Sequence, residues 1–368
     1  MTTKPTHRIG ILGSGNIFGR YVTGLARYPE LEIVRVADID VARAEQAAAE
    51  HDIPAWGDDA ELYADDSVDI VVNLTPPVHH ARTITTALEA GKHVYVEKPL
   101  GTTVEEGRAV LEAAARSGRL LGSAPDTFLG SASQTLRKAV DGGLIGTPIG
   151  ASAFISHSKA ETWHPDPTFL FQQGGGPVMD MGPYYVAILV NALGPIRTIT
   201  AASRIGAPHR TVTAPSRTVD SIEVTVPTHA SAVLTFASGA IGTALMSFDI
   251  WDTDLPRMEL YGTEGTLSLP NPNNFDGDVR LRRHGDAEWT VLEPAVELFG
   301  AVDTREQHQR GLGVRDLADA IEGGRHRATA GFAFHVLEAL CAVEDASQQG
   351  RLIHLTSTCE RPQPRFSA

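Results

Sequence analysis

Apolar positions in the first third of the chain fall into short continuous runs separated by stretches of helical spacing, the pattern of repeated β-α units around a parallel sheet. Runs at Arg8 to Leu12, Ile33 to Ala37, Asp69 to Leu74, His93 to Val96 and Leu120 to Gly122 predict strands. Between them Ile17, Tyr21 and Leu25 recur at i, i+4 and i+8, which predicts an amphipathic helix opening just after a glycine cluster. Val41 to Glu50 is rich in alanine and helix formers, and Ala81 to Ala90 stops at Gly91. Thr102 or Thr103, each followed three residues later by Glu105 or Glu106, makes a capping box for a helix running to Ser117. Together these elements predict a doubly wound domain over residues 1–124.

From Pro125 onward apolar residues alternate with polar ones instead of running together. Ile222, Val224 and Val226 alternate, as do Ala232, Leu234 and Phe236, and Ser238-Gly239 then supplies a turn before Ala240 to Phe248. Met258 and Leu260, with the Gly262 to Gly265 turn before Thr266 to Leu269, extend the series. Such alternation predicts a largely antiparallel sheet with one buried face. Leu312 to Ile321 and Gly331 to Gln348 read as helices, and Gly206 to Arg217 and Pro270 to Gly277 as loops. The expected class is α/β: a parallel N-terminal sheet followed by a second α/β domain over residues 125–368 for substrate binding and oligomerisation, built on an open, mainly antiparallel sheet. Its unpaired sheet face suits a homodimer or homotetramer.

A chain of 368 residues exceeds what one hydrophobic core usually serves, which agrees with two domains. The net charge of -14, without a Lys/Arg-rich run, argues against nucleic acid or an anionic membrane surface as partner. The longest apolar stretch, around Tyr184 to Leu193, is shorter than the ~20 residues a membrane span needs. The N-terminus lacks the basic and apolar regions of a signal peptide, and Cys341 and Cys359 suit a reducing compartment, so a cytoplasmic location is expected. The 14 histidines show no His-x-x-x-His pair with an accompanying acid, and no metal is expected.

Chemistry enters with Gly10-x-x-Gly13-x-Gly15, which follows a strand and precedes a helix. Glycines in that context let backbone N–H groups approach a pyrophosphate, which the positive end of the helix also favours. The third glycine of the usual fingerprint comes one place late, at Gly19, with Phe18 in its place. Asp38 ends the second predicted strand 23 positions beyond Gly15, near the ~20-residue offset at which an acid accepts hydrogen bonds from ribose hydroxyls and repels a 2′-phosphate. NAD is thereby favoured over NADP, with Arg43 close enough in sequence to leave some tolerance. Gly91 to Pro99 then forms a short apolar strand that delivers the ammonium of Lys98 to the carboxyl end of a parallel sheet, where open α/β sheets bind ligands.

These residues resemble the Gfo/Idh/MocA oxidoreductase family, named for glucose-fructose oxidoreductase, inositol dehydrogenase and MocA. The resemblance rests on Asn73-Leu74-Thr75-Pro76-Pro77 with His80, on Ala87 to Val94 leading into Glu97-Lys98-Pro99, and on Gly174-Gly175-Gly176 with Asp180. Trp163-His164-Pro165, Arg310 to Gly313 and His335 to Glu338 add to it. It implies a Rossmann domain followed by an α/β domain with an open sheet. It further implies that Lys98 stands beside the nicotinamide and the substrate hydroxyl, that Asp180 helps to place or exchange the proton, and that the Lys98-Pro99 bond is cis. Where many family members have a histidine four residues after the aspartate, this chain has Tyr184, which leaves the identity of the general base open between Lys98 and Tyr184.

The expected cofactor contacts are Gly13, Ser14, Gly15, Asn16, Ile17, Asp38, Thr75, Pro76, His80, Glu97 and Lys98. Asp126, Trp163, His164 and His308, with Asp180 and Tyr184, are the expected substrate wall, because aromatic faces and polar side chains together suit a polyhydroxylated ligand. The reading is an NAD(P)-dependent oxidoreductase for a sugar, sugar derivative or cyclitol. The alternative is a catalytically idle NAD- or sugar-sensing protein of the same fold, which would not require Lys98 and Asp180 together.

Overall fold

The computed structural model describes residues 6–158, 160–297 and 310–366. The chain divides into two compact units, one running to Asp126 and rejoined by the segment that ends at Phe334, the other beginning at Thr127 and resuming at His335.

Six parallel strands form the sheet of the first unit: β1 (His7–Leu12), β2 (Leu31–Ala37), β3 (Ala55–Gly57), β4 (Ile70–Asn73), β5 (His93–Val96) and β6 (Leu121–Ser123). Their order is β3-β2-β1-β4-β5-β6, so the winding reverses between β1 and β4, where such sheets open a crevice at the carboxyl ends of their strands. Helices α1 (Phe18–Leu25), α2 (Val41–Glu50), α3 (Asp59–Ala64), α4 (His80–Glu89) and α5 (Val104–Ser117) connect them. Every residue of β4 is buried, as a strand covered on both faces requires.

The strand β3 and helix α3 go beyond the sequence reading. A three-residue strand with an exposed Trp56 carries no apolar run, and α3 is set instead by a capping box between Asp58 and Glu61. The open choice at the start of α5 resolves in favour of Thr103, whose hydroxyl accepts from the Glu106 N–H. Glu106 in turn accepts from the N–H and hydroxyl of Thr102. Past β6 the chain returns: the helix Leu312–Ile321 packs on β5 and β6, and Ser123 N–H donates to the Ala328 carbonyl at 3.0 Å.

In the second unit, α6 (Ser131–Asp141), β7 (Pro148–Ser156), α7 (Gly176–Asp180), α8 (Gly182–Leu193) and β8 (Ile196–Arg204) precede β9 (His209–Thr211) and β10 (Ser221–Glu223). β11 (His229–Phe236), β12 (Ile241–Ser247), β13 (Met258–Gly262), β14 (Gly265–Leu269), β15 (Arg280–Arg283), β16 (Thr290–Val291) and β17 (Ile353–His354) complete it. Nine of these strands form a sheet in the order β16-β15-β14-β13-β7-β12-β11-β8-β17, antiparallel at every pairing except β7 with β12. The fold is α/β, a parallel sheet plus a mixed, mostly antiparallel one. β11 alternates buried and exposed residues, which leaves one sheet face open with Val233 and Ile241 at 43% and 55% exposure.

The structure corrects the loop expected at Gly206 to Arg217, because β9 lies inside it and pairs with β10 as a separate two-stranded sheet. Val212, Ile222 and Val224 pack with Leu170, Phe171 and Phe248 in a small core of their own. Helix α8 is buried at every position, so the longest apolar stretch is a core helix. Among the described residues no helix is long and apolar enough to cross a membrane.

Candidate active site

Gly13 directly follows β1 with φ +98, a conformation glycine adopts without strain, and an added Cβ would lie 3.0 Å from the Leu74 carbonyl carbon. Its N–H donates to the Ala37 carbonyl at 2.7 Å, which holds the turn against the end of β2. Gly15 is different: an added Cβ would meet nothing within 4 Å, so packing inside the chain does not require glycine there. A backbone left bare at the mouth of a helix, against nothing of its own, suits close approach by a pyrophosphate. Phe18, where the fingerprint's third glycine would stand, is buried and meets the His51 ring edge-on at 5.5 Å.

Asp38 closes this turn from the end of β2. Its Oδ2 accepts from both the N–H and the hydroxyl of Ser14 at 2.8 Å, and its Oδ1 accepts from Asp40 N–H at 3.0 Å. Burial alone would raise its pKa, but the Ser14 and Asp40 donors and the nearby Arg43 outweigh it and hold the carboxyl below its ordinary value. The ionised acid is therefore fixed at the turn, with Arg43 Nη1 3.8 Å from Oδ1.

The next two strands supply the chemistry. Buried Asn73 ends β4, and its Oδ1 accepts from the Thr75 N–H and hydroxyl at 3.1 and 2.7 Å, bending the chain at Leu74 and Thr75. Glu97 follows β5, with Oε1 accepting the Tyr21 hydroxyl at 2.7 Å and Oε2 accepting the Lys98 N–H at 2.9 Å. The Lys98-Pro99 peptide is cis, and Lys98 is half-buried at the carboxyl edge of the sheet. His80 is fully buried, its Nδ1 2.7 Å from the Pro99 carbonyl oxygen and its Nε2 2.8 Å from that of Thr75. Glu97 and His80, both expected as cofactor contacts, thus direct their polar atoms into the protein, whereas Thr75 is part-exposed and Pro76 exposed just beyond β4.

Asp126, expected on the substrate wall, is fully buried. Its Oδ2 accepts the Gly313 N–H at 2.8 Å and its Oδ1 lies 3.9 Å from Arg310 Nη1, itself almost wholly buried. Burial pushes the Asp126 carboxyl up to about 6, against the opposing pull of Arg310 and the Gly313 N–H. Gly313 has no room for a side chain, because an added Cβ would come within 2.2 Å of the Tyr95 hydroxyl. Asp126 therefore anchors the returning segment. Nothing in its sequence neighbourhood marks that role, since its partner Gly313 is 187 positions away.

The second unit carries the other expected substrate residues. Trp163 is 58% exposed and meets the buried His164 ring edge-on at 5.4 Å, while His164 Nδ1 accepts the Asp166 N–H at 3.1 Å. Asp180 ends α7 and the buried Tyr184 lies in the first turn of α8. The four-residue spacing would put both on one helical face if a single helix ran through them. Two helices are found instead, joined at Met181, because Pro183 has no N–H to continue the ladder from α7. His308 lies outside the described residues.

These donors and acceptors fit a dinucleotide. The bare glycine turn, the positive end of α1 and the ionised Asp38 suit pyrophosphate and ribose, and the ammonium of Lys98 suits a developing alkoxide. Among the described residues no cluster of three or more His, Cys, Asp or Glu has the arrangement of a metal site.

Comparison with known proteins bears on the family and the fold. The family described as "Oxidoreductase family, NAD-binding Rossmann fold" (GFO_IDH_MocA) matches residues 7–124, and the GFO/IDH/MocA C-terminal domain matches residues 133–268. D-xylose 1-dehydrogenase (NADP(+)) 2 of Haloferax volcanii is 28% identical over 355 residues, 94% of this chain and 99% of that protein. Trans-1,2-dihydrobenzene-1,2-diol dehydrogenase of Macaca fascicularis is 32% identical over 190 residues, 51% of this chain and 56% of its own length. Among solved structures, levoglucosan dehydrogenase in complex with NADH and levoglucosan shares the fold with a TM-score of 0.84 at 19% identity, over 96% of this chain and 100% of that one.

Proposed function

The chain belongs to the Gfo/Idh/MocA oxidoreductase family, and from that premise we propose that it transfers hydride between nicotinamide C4 and a secondary alcohol or ketone carbon of a sugar, sugar derivative or cyclitol. The observation that carries this reading is the placement of Lys98: an ammonium at the carboxyl edge of the parallel sheet, its backbone N–H held by Glu97 at 2.9 Å, in the same unit as a glycine turn closed by Asp38. The names of the relatives, which act on xylose and on a cyclic diol, support the substrate class.

When bound, NAD(P) supplies the hydride acceptor or donor. The chain's own work is to handle the proton and the charge on oxygen. Oxidising a secondary alcohol removes a hydride from carbon and a proton from oxygen: in that direction the neutral Lys98 amine takes the hydroxyl proton, and the ammonium so formed stabilises the charge developing on oxygen, while in reduction the ammonium returns the proton to the carbonyl oxygen. Asp180 and Tyr184 are proposed as the groups that exchange this proton with solvent or hold a substrate hydroxyl. Trp163, His164 and His308 are proposed for the sugar wall, and Asp126, by its burial, for the scaffold. We assign the open sheet face that presents Val233 and Ile241 to self-association as a dimer or tetramer, and light scattering that finds only monomer contradicts that assignment.

The ionised Asp38 supports NAD over NADP, against the opposing presence of Arg43 3.8 Å away. Asp38→Ala removes the acceptor for ribose and is expected to weaken NAD roughly 10- to 100-fold, the range for a charge-assisted hydrogen-bond pair, while weakening NADP less. The check is the ratio of kcat/KM for the two cofactors, and an unchanged ratio counts against the ribose contact. The reading as a whole is tested by a panel of aldoses, glycosides and inositols with each cofactor. Appearance of reduced nicotinamide with at least one substrate supports it, and binding without turnover on all of them returns the sensor alternative.

A further inference from the structure

His80 opens α4 with both ring nitrogens facing carbonyl oxygens, Pro99 at 2.7 Å and Thr75 at 2.8 Å, and with no exposed surface. Carbonyls only accept, so the ring is the sole source of hydrogen for both contacts. A neutral imidazole donates to one of them and an imidazolium to both. Burial pulls the ring's pKa below its ordinary value, and His79 acts in the same sense, while the two carbonyls and Glu97 act against that pull.

The identity of the two carbonyls gives the ring its meaning. Thr75 lies on the bend that Asn73 shapes after β4, and Pro99 directly follows Lys98 across the cis peptide. An apolar side chain would fill the same volume and supply no donor to either buried carbonyl. Packing alone therefore does not account for a histidine here. We propose that His80 is a positioning residue for hydride transfer, a ring that ties the Thr75 bend to the Pro99 carbonyl and so sets where Lys98 stands relative to the cofactor edge. This rests on the assignment of Lys98 to proton handling.

Two isosteric half-replacements test it. The amide nitrogen of asparagine falls near Nδ1, so His80→Asn keeps the Pro99 contact and loses that to Thr75. The amide nitrogen of glutamine falls near Nε2, so His80→Gln does the reverse. His80→Asn, which still holds the Pro99 carbonyl beside Lys98, is expected to lower kcat only about two- to five-fold while the KM for NAD(P) rises. His80→Gln is expected to keep that KM and lose kcat roughly 10- to 100-fold, as a misplaced reacting group does.

Equal and native-like parameters in both variants overturn the proposal, as does a parallel loss of kcat and cofactor affinity in both that tracks a fall in Tm. Failure of both to fold also counts against it, since each retains one of the two contacts. The native protein separates this from the wider reading: turnover of no polyol removes the dehydrogenase assignment itself, whereas an active native enzyme with indistinguishable variants removes only the role of His80.

Discussion

Lys98→Ala lowers kcat by roughly 10²- to 10⁴-fold, the range for removing a positioned acid-base group, while NAD(P) binds with near-native affinity. The expectation follows from where the side chain starts. Its backbone N–H is tied to Glu97, and Glu97 is tied to Tyr21, so truncation leaves the strand end and the glycine turn intact. What is lost is the side chain beyond Cβ, with its ammonium. Lys98→Arg sharpens the test, because guanidinium keeps the charge and does not give up a proton at ordinary pH. If stabilising the alkoxide were the whole role, arginine would restore most of the rate. Proton transfer predicts that it does not. Stopped-flow nicotinamide absorbance gives the rate and cofactor fluorescence titration gives the affinity. Native turnover in Lys98→Ala removes the lysine from the mechanism.

Asp126→Ala destabilises the first unit by roughly 3 kcal/mol at pH 5, through loss of the acceptor for the buried Gly313 N–H and of the group facing buried Arg310. Its dependence on pH has a definite sign. The folded pKa, pushed up to about 6, lies above the ordinary 3.8. The native fold therefore favours the protonated acid. Stability from this group is fully present below about pH 4 and is lost as pH rises through 6, a loss on the order of 2–3 kcal/mol for such a shift. The alanine variant lacks that loss, so its deficit narrows toward pH 8. Urea denaturation of both proteins at pH 5 and pH 8 reads the difference, and a deficit that widens with pH contradicts the raised pKa.

Much of the first unit is legible in the residues because its determinants are local. Apolar runs predict β1, β2, β4, β5 and β6 to within a few residues, Gly13 and Asp38 mark the turn they build, and Glu97-Lys98-Pro99 marks the strand end that carries the ammonium. What is not legible depends on distant partners. Asp126 reads as a polar residue at the carboxyl edge of a sheet, where ligand-facing groups occur, and only the return of Gly313 and Arg310 turns it into a buried anchor. His80 reads as a cofactor contact until the Pro99 and Thr75 carbonyls are found on either side of its ring.

In the second unit, β7 is missed because Gly150 to Ala153 is small and weakly alternating, although its neighbours β12 and β13 make it central to the sheet. The joint at Met181 is missed for a different reason. The Asp180 to Tyr184 spacing is helical, and a proline in the first turn of a helix reads the same whether that helix starts there or continues, so Pro183 alone does not mark the break.

Hydride transfer is tested most directly with a substrate from the polyol panel carrying deuterium on its carbinol carbon. The account predicts that the deuterium appears at C4 of the reduced nicotinamide in a native reaction, and that Lys98→Ala forms the same labelled product far more slowly. Reduced nicotinamide without label, or bound cofactor that stays oxidised with every polyol offered, contradicts it.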